Sequence, residues 1–204
     1  MDELLNEHEQ GERVRSWLQR NAAGLLGGIV LGLALIWGWG QWQDRRSADR
    51  DAVAGEYDRF EQAVAQNPET AAAQISGKLA GTPYAALAAL ELAKAHVDAG
   101  KETEALAVLT AARSDDPMLA RILRQRTATL MTATGKPADA VALLGKPDDA
   151  ASLQVLGDAQ LALGKAADAQ QSYRQALRTL EEGSPERQVV ELKLAEAGGQ
   201  TATP

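Results

Sequence analysis

The hydrophobic and polar positions divide the chain into two regions with different patterns. From Asn21 to Gln43 no charged residue occurs, whereas the rest of the chain mixes apolar and polar positions at helical spacing. A helix of ~20 residues rises about 30 Å, which matches the hydrocarbon layer of a bilayer. The run ends with three tryptophans and is followed by charged residues rather than by a small-residue cleavage site. We therefore predict a tail at 1–21 and a retained transmembrane helix at 22–42.

The predicted membrane helix has one face of small residues. Gly24, Gly28 and Gly32 are four residues apart and so share a helix face, which is typical of a surface against which a second membrane helix packs. Three arginines precede the apolar run closely and three follow it. Because these positive charges balance, the residues themselves leave the orientation of the helix in the membrane open.

Helical periodicity continues after the apolar run. Val53, Tyr57, Phe60 and Val64 recur at spacings of four, three and four, which predicts a juxtamembrane helical segment within 43–82. Four pairs of a capping residue and proline then mark helix starts. These pairs are Asn67-Pro68, Thr82-Pro83, Asp116-Pro117 and Ser184-Pro185.

A short motif, Gly-Lys-x-x-acid-Ala, occurs three times. It begins at Gly100, Gly135 and Gly164, at intervals of 35 and 29 residues that bracket the 34 of a tetratricopeptide unit. Glycine ends one helix in a left-handed conformation, the acid lies near the positive end of the next helix, and the alanine allows close approach. We predict three degenerate tetratricopeptide-like repeats at 83–182, a capping helix at 185–197 and a flexible tail at 198–204. The predicted fold is all-α: an N-terminal transmembrane helix followed by a tetratricopeptide-like α-solenoid.

Composition and charge argue against several classes of function. The net charge of -7 without a basic stripe argues against nucleic acid, and the absence of cysteine excludes disulfides and cysteine-based zinc sites. Of the two histidines, His8 lies in the tail and His96 falls at a packing position of the repeat, where we expect its polar atoms to be satisfied. Helix capping explains Asp115-Asp116 and Asp148-Asp149 better than cation binding does. We therefore predict no enzymatic activity, no cofactor, no metal and no small-molecule substrate.

The remaining candidate is a protein-binding surface. In tetratricopeptide stacks the first helix of each hairpin lines a concave face that receives partner segments. By spacing, nine residues are expected on this face, although they are equally compatible with simple solvation. They are Lys94, Val97 and Asp98 in the first repeat, Gln125, Thr129 and Thr132 in the second, and Gln154, Asp158 and Leu161 in the third.

The layout resembles the YfgM family, whose members are ancillary subunits of the bacterial SecYEG translocon. The resemblance is carried by "ERVRSWLQRN" at 12–21, the apolar run directly after it, "YDRFEQAV" at 57–64 and the degenerate repeats. It implies a single-pass protein of the bacterial inner membrane with a cytoplasmic N-terminus and a periplasmic repeat domain. It further implies association with SecYEG and with the periplasmic chaperone PpiD, and contact with exported client polypeptides.

Two functional hypotheses follow. The first is a non-enzymatic, membrane-anchored scaffold that assists periplasmic chaperoning of newly exported proteins at the Sec translocon. The alternative is an envelope signalling or assembly adaptor whose N-terminal tail binds a cytoplasmic regulator. Deletion of residues 1–15 distinguishes them. Loss of function with translocon binding intact would favour the adaptor, because only the adaptor needs the tail for its function.

Overall fold

The computed structural model describes the backbone of residues 2–198. Side chains are described from Val14 to Gly198, except for those of Leu25, Asp49, Gln74 and Ser76. These residues form helices and turns without a strand, which confirms the predicted all-α class. The chain divides into two compact units, Met1–Ala52 and Val53–Pro204. The predicted flexible tail falls almost wholly at 199–204, outside the described residues.

The first unit is formed by the N-terminal part of a long helix, α1, assigned from Asp2 to Gln66. In the described part of the chain no single helix is both long and apolar enough to cross a membrane. One pair of segments, Val14–Gly24 and Leu26–Gln66, meets these criteria jointly, with a bend of 46° between them. The apolar side chains of this unit are strongly exposed, at 67% for Leu35 and 70% for Ile36.

The second unit contains the C-terminal part of α1 and eight further helices. Their bounds are α2 Pro68–Ser76, α3 Pro83–Asp98, α4 Glu102–Ala111, α5 Pro117–Ala133, α6 Pro137–Leu144, α7 Ala150–Ala162, α8 Ala166–Leu177 and α9 Pro185–Glu196. Helices α3/α4, α5/α6 and α7/α8 pack as three consecutive hairpins, and α9 packs on α8. This order is that of the three predicted repeats and the predicted capping helix.

The predicted helix starts are confirmed at all four proline pairs. The side chains of Asn67, Asp116 and Ser184 accept hydrogen bonds from backbone N–H groups of the first turns of α2, α5 and α9. Thr82 precedes α3 without such a bond; its hydroxyl donates instead to the carbonyl of Leu79 at 2.7 Å. Asp149 also caps a helix, accepting from the N–H of Ser152 at 2.9 Å, which supports the capping assignment of this aspartate.

The three motif turns have the predicted conformation. Gly100, Gly135 and Gly164 adopt φ of 69°, 78° and 74°, which is the left-handed region where a side chain is strained. The alanine of each motif is completely buried at the start of the following helix. Local sequence therefore sets both the end of each first helix and the close approach of the second.

The packed core of the second unit begins before the first predicted repeat. Phe60 and Val64, from the end of α1, cluster with Ala71, Leu79 and Leu92. Part of the predicted juxtamembrane segment therefore packs as the first layer of the solenoid. The helical face predicted from the spacing of Val53, Tyr57, Phe60 and Val64 is the one that contacts this cluster.

The C-terminal layer is held by an aromatic residue that lies against a glycine. Tyr173 of α8 is fully buried beside Gly157 of α7, where an added Cβ would come within 2.4 Å of its ring. The Tyr173 hydroxyl donates to Asp158 Oδ1 at 2.7 Å, and Lys193 Nζ of α9 donates to Asp158 Oδ2 at 2.6 Å. Burial raises the pKa of Tyr173 well above its usual value of 10.0, and the hydrogen bond to the Asp158 carboxylate is the next largest cause of this increase.

Helix α9 caps the stack with one buried and one exposed face. Val190 and Leu194 are buried against α8, and Val189 and Leu192 are exposed, Leu192 to 62%. The outer face of this helix is therefore less polar than a terminal cap normally is.

Candidate protein-binding groove

An open groove of about 620 Å³ lies across the face formed by α3 and α5. Most of its lining is apolar, and its charged residues come from these two helices. The lining residues are Tyr57 from α1; Leu87, Leu90, Glu91, Ala93, Lys94 and Val97 from α3; Leu109 from α4; and Ile122, Arg126, Thr129 and Leu130 from α5.

The spacing of residues along α3 explains how this helix forms one wall. Leu87, Leu90, Lys94 and Val97 are separated by three or four positions and therefore share one helix face. Other faces of α3 bury alanines, which let neighbouring helices approach closely. Leu87 and Val97 remain 37% and 38% exposed, because no other described element covers this face. A row of partly exposed aliphatic side chains in a concavity is typical of a partner-binding surface.

The charges around the groove differ in how they are paired. Lys94 Nζ donates to Asp98 Oδ2 at 2.6 Å, and this hydrogen bond raises the pKa of Lys94. The side chains of Glu91 and Arg126 line the groove without a hydrogen bond or ion pair among the described residues. Burial raises the pKa of Tyr57, and the negative charges of Glu61 and Glu91 add to this effect.

Four of the nine residues expected on the concave face lie at this groove. Lys94, Val97 and Thr129 line it, and Asp98 adjoins it through its ion pair with Lys94. Thr129 also donates its hydroxyl to the carbonyl of Gln125 at 3.0 Å, within its own helix. The first two repeats therefore bring part of the predicted set together.

The second-repeat residues Gln125 and Thr132 make contacts within the chain. Gln125 Nε2 donates to Asp149 Oδ1 at 3.1 Å and to Ser152 Oγ at 2.8 Å, which joins α5 to the start of α7. Thr132 donates its hydroxyl to the carbonyl of Ala128 at 3.0 Å. Neither residue lines the groove.

The third-repeat residues also lie outside the groove. Asp158 is the acceptor for Tyr173 and Lys193, and Leu161 packs against the C-terminal core cluster. Gln154 is half-buried on the same helix. Asp158 and Leu161, which spacing alone assigns to a concave face, therefore contact the neighbouring C-terminal helices instead.

Several groove residues were not predicted from the sequence. Tyr57 precedes the repeats, and Leu87, Leu90 and Ile122 read as ordinary core positions of α3 and α5. The signal that could have found them is the breadth of the apolar face of α3, which is wider than one neighbouring helix requires. Arg126 gave no signal, since single arginines are frequent on exposed helix faces.

Two other predicted features have a defined environment. The side chain of His96 is buried, but its Nδ1 has no hydrogen-bond partner, so the expectation of a fully satisfied histidine is wrong for this atom. Gly24, Gly28 and Gly32 have no atom within 4 Å of an added Cβ, so the described chain leaves that helix face open. Among the described residues, no group of three or more His, Cys, Asp or Glu could hold a metal ion.

Comparison with known proteins identifies relatives of this fold. A family model described as a tetratricopeptide repeat-like domain matches residues 15–199. The ancillary SecYEG translocon subunit of Escherichia coli (strain K12) is 30% identical over 140 residues, which are 66% of this chain and 67% of that protein.

Two solved structures share the fold at lower identity. Both contain nearly identical TPR-like repeats from a Podosopora anserina protein assigned as a kinesin light chain, and both are 20% identical to this chain. They cover 72% of this chain and 85% and 84% of their own, with TM-scores of 0.50 and 0.52. The extent of the family match and the relationship to the E. coli protein show that this chain belongs to the tetratricopeptide repeat-like family and is a relative of the ancillary SecYEG translocon subunit.

Proposed function

We propose that this protein is a non-catalytic, membrane-anchored scaffold that associates with the Sec translocon and assists periplasmic chaperoning of newly exported proteins. The observation that carries the proposal is the open apolar groove on α3 and α5, in a chain related to a translocon subunit. The partners in this proposal are SecYEG, the chaperone PpiD and exported client polypeptides.

The groove supports binding of a polypeptide rather than a small molecule. It is open along its length, and its aliphatic residues are partly exposed on adjacent helices. Covering such side chains contributes favourable free energy in proportion to the apolar area removed from water. Polar side chains also line the groove, and such groups give orientation to a bound segment.

The N-terminal helix supports the proposed anchoring. Its charge-free run from Asn21 to Gln43 places large aliphatic side chains at the surface of the first unit, where water is an unfavourable environment for them. Trp42 lies at the end of this run with the Arg46 guanidinium 4.0 Å from its ring, an arrangement suited to a membrane interface. The glycine face is the proposed contact surface for a neighbouring membrane helix.

The proposed topology is a single pass with the N-terminus in the cytoplasm and the repeats in the periplasm of a bacterial inner membrane. The relationship to the translocon subunit supports this topology. The positive charges that flank the apolar run balance, so they do not favour either orientation. Reporters fused to the two ends test this directly. If a reporter that works only in the periplasm is active when it is fused to the N-terminus, the proposed orientation is contradicted.

Co-purification tests the role of the groove. We compare the wild type with Leu87→Asp in the groove and with Leu143→Asp on α6, because these leucines are 37% and 38% exposed and only Leu87 lines the groove. From solubilised membranes, we expect the wild type and Leu143→Asp to recover translocon subunits and PpiD. Leu87→Asp should recover at least about fivefold less PpiD, since truncating or charging an interface anchor costs 1 kcal/mol or more.

Two outcomes would contradict the proposal. If the wild type recovers neither translocon subunits nor a periplasmic chaperone, the association itself is wrong. If Leu87→Asp recovers as much PpiD as Leu143→Asp, the partner does not use the groove.

A further inference from the structure

The groove has two opposite charges on different helices, and neither forms an ion pair within the described chain. Glu91 belongs to α3 and Arg126 to α5, and neither has an ion-pair partner within 4.0 Å among the described residues. Lys94, the third charged lining residue, is already bound to Asp98. The groove therefore presents one carboxylate and one guanidinium without a close ion-pair partner to whatever enters it.

The two charges belong to different helices, α3 and α5, that both line the apolar groove. Glu91 lies on α3, one helical turn after the groove residue Leu87. Arg126 lies on the α5 side, near Ile122 and Leu130. A ligand that filled the apolar part of the groove would remove water from around both charges, and the desolvation of an unpaired charge is unfavourable.

The length of the wall indicates the size of the ligand. From Leu87 to Val97 the lining residues of α3 extend over about ten residues, or ~15 Å of helix. A bound amphipathic helix of about three turns matches this length and uses apolar anchors at spacings of three and four. Complementary charges at its two flanks would then set which segments bind.

We infer that the groove takes an amphipathic helix of a partner protein, with an acidic side chain that pairs with Arg126 and a basic side chain that pairs with Glu91 on opposite flanks of its apolar face. This inference deepens the proposed function, because it rests on the groove being the partner-binding surface. It specifies the chemistry of the bound segment without depending on the partner's identity.

Four synthetic peptides test the inference. They share one leucine face and differ only in the residue on each of its two flanks. The first peptide has Gln on both flanks, the second has Glu and Gln, the third has Gln and Lys, and the fourth has Glu and Lys. Binding to the full chain in lipid nanodiscs is followed by fluorescence anisotropy at low salt. We expect each matching charge to tighten binding about two- to fivefold, and the peptide with both charges to bind most tightly. High salt should reduce both gains.

Variants assign each gain to one residue. Arg126→Gln should remove the gain from the peptide's Glu and keep the gain from its Lys, and Glu91→Gln should do the reverse. Arg124→Gln is the matched control, because Arg124 is exposed on the same helix and does not line the groove. The double exchange Glu91→Arg with Arg126→Glu should keep the preference for the doubly charged peptide, since a helix can bind in the reverse direction.

Each contrary result has a separate meaning. Equal binding of all four peptides, or gains that survive Arg126→Gln and Glu91→Gln, overturns the inference and leaves an uncharged apolar groove. Failure of every peptide to bind the wild type at about 1 mM also overturns it. The proposed function is judged independently, by the co-purification of PpiD with the Leu87 and Leu143 variants.

Discussion

Replacement of Gly157 by alanine tests the packing of the C-terminal layer. The added Cβ would lie 2.4 Å from Cε1 of Tyr173 and 2.8 Å from Cδ1 and Cζ, well inside the van der Waals distance. The ring cannot move freely, since Tyr173 is fully buried and its hydroxyl is bound to Asp158 at 2.7 Å. Either α7 and α8 separate, or the ring turns away and loses this hydrogen bond.

The magnitude follows from three contributions. Overpacking of a core by one methyl group costs about 1–3 kcal/mol. Loss of a hydrogen bond to a carboxylate costs about 1.5–3 kcal/mol if the ring turns away. The higher helix propensity of alanine than of glycine offsets about 0.5–1 kcal/mol of these costs. If the ring turns away, the net expectation is a loss of roughly 2–4 kcal/mol in the free energy of unfolding. If the helices separate and the hydrogen bond is kept, the loss is about 1–2 kcal/mol.

Urea unfolding of the full chain, followed by far-UV circular dichroism, measures this loss. The matched control is Gly55→Ala in α1, where nothing lies within 4 Å of an added Cβ, and there we expect unchanged or slightly higher stability. In Gly157→Ala with Tyr173→Leu, the smaller side chain relieves the clash, so the two changes should be less than additive. The reasoning is refuted if Gly157→Ala is as stable as Gly55→Ala.

Further predictions concern turns, titration and caps. Gly100→Ala should cost about 1–2 kcal/mol of unfolding free energy, because its φ of 69° strains a side chain; Gly100→Asn, measured by the same urea unfolding, should cost less. The folded pKa of Tyr173 is raised by burial, so above its usual value of 10.0 the unfolded chain loses the proton first and stability falls with rising pH; Tyr173→Phe should flatten that slope in alkaline titrations of stability. Asp116→Ala should lower the thermal midpoint, since its carboxylate caps α5 through two N–H groups at 2.8 and 2.9 Å, and Asp115→Ala should not.

The elements that depend on local chemistry were predictable from the sequence. The left-handed conformation of Gly135 and the cap formed by Asp116 follow from preferences of single residues and their immediate neighbours. The short α6, Pro137–Leu144, likewise ends where Gly145 and Pro147 interrupt the helical pattern of the sequence. These features fix the order of helices and hairpins before any tertiary contact is known.

The groove was predictable only in part, because it depends on how helices pack. Spacing gave Lys94, Val97 and Thr129, which lie on exposed faces of α3 and α5. It could not distinguish these from Asp158, which has the corresponding position on α7 but is bound to residues of α8 and α9. The contribution of Tyr57 was hidden for a related reason, since it depends on the end of α1 packing against α3.

Site-specific photo-crosslinking in intact cells tests the central claim most directly. A photoreactive amino acid is placed at Val97, which is 38% exposed in the groove, or at Leu143, which is equally exposed on α6 outside the groove. A scaffold that uses its groove at the translocon should give an adduct with a periplasmic chaperone or an exported polypeptide from position 97 and little from position 143. Absence of adducts from position 97, or equal adducts from both positions, would contradict the proposed function.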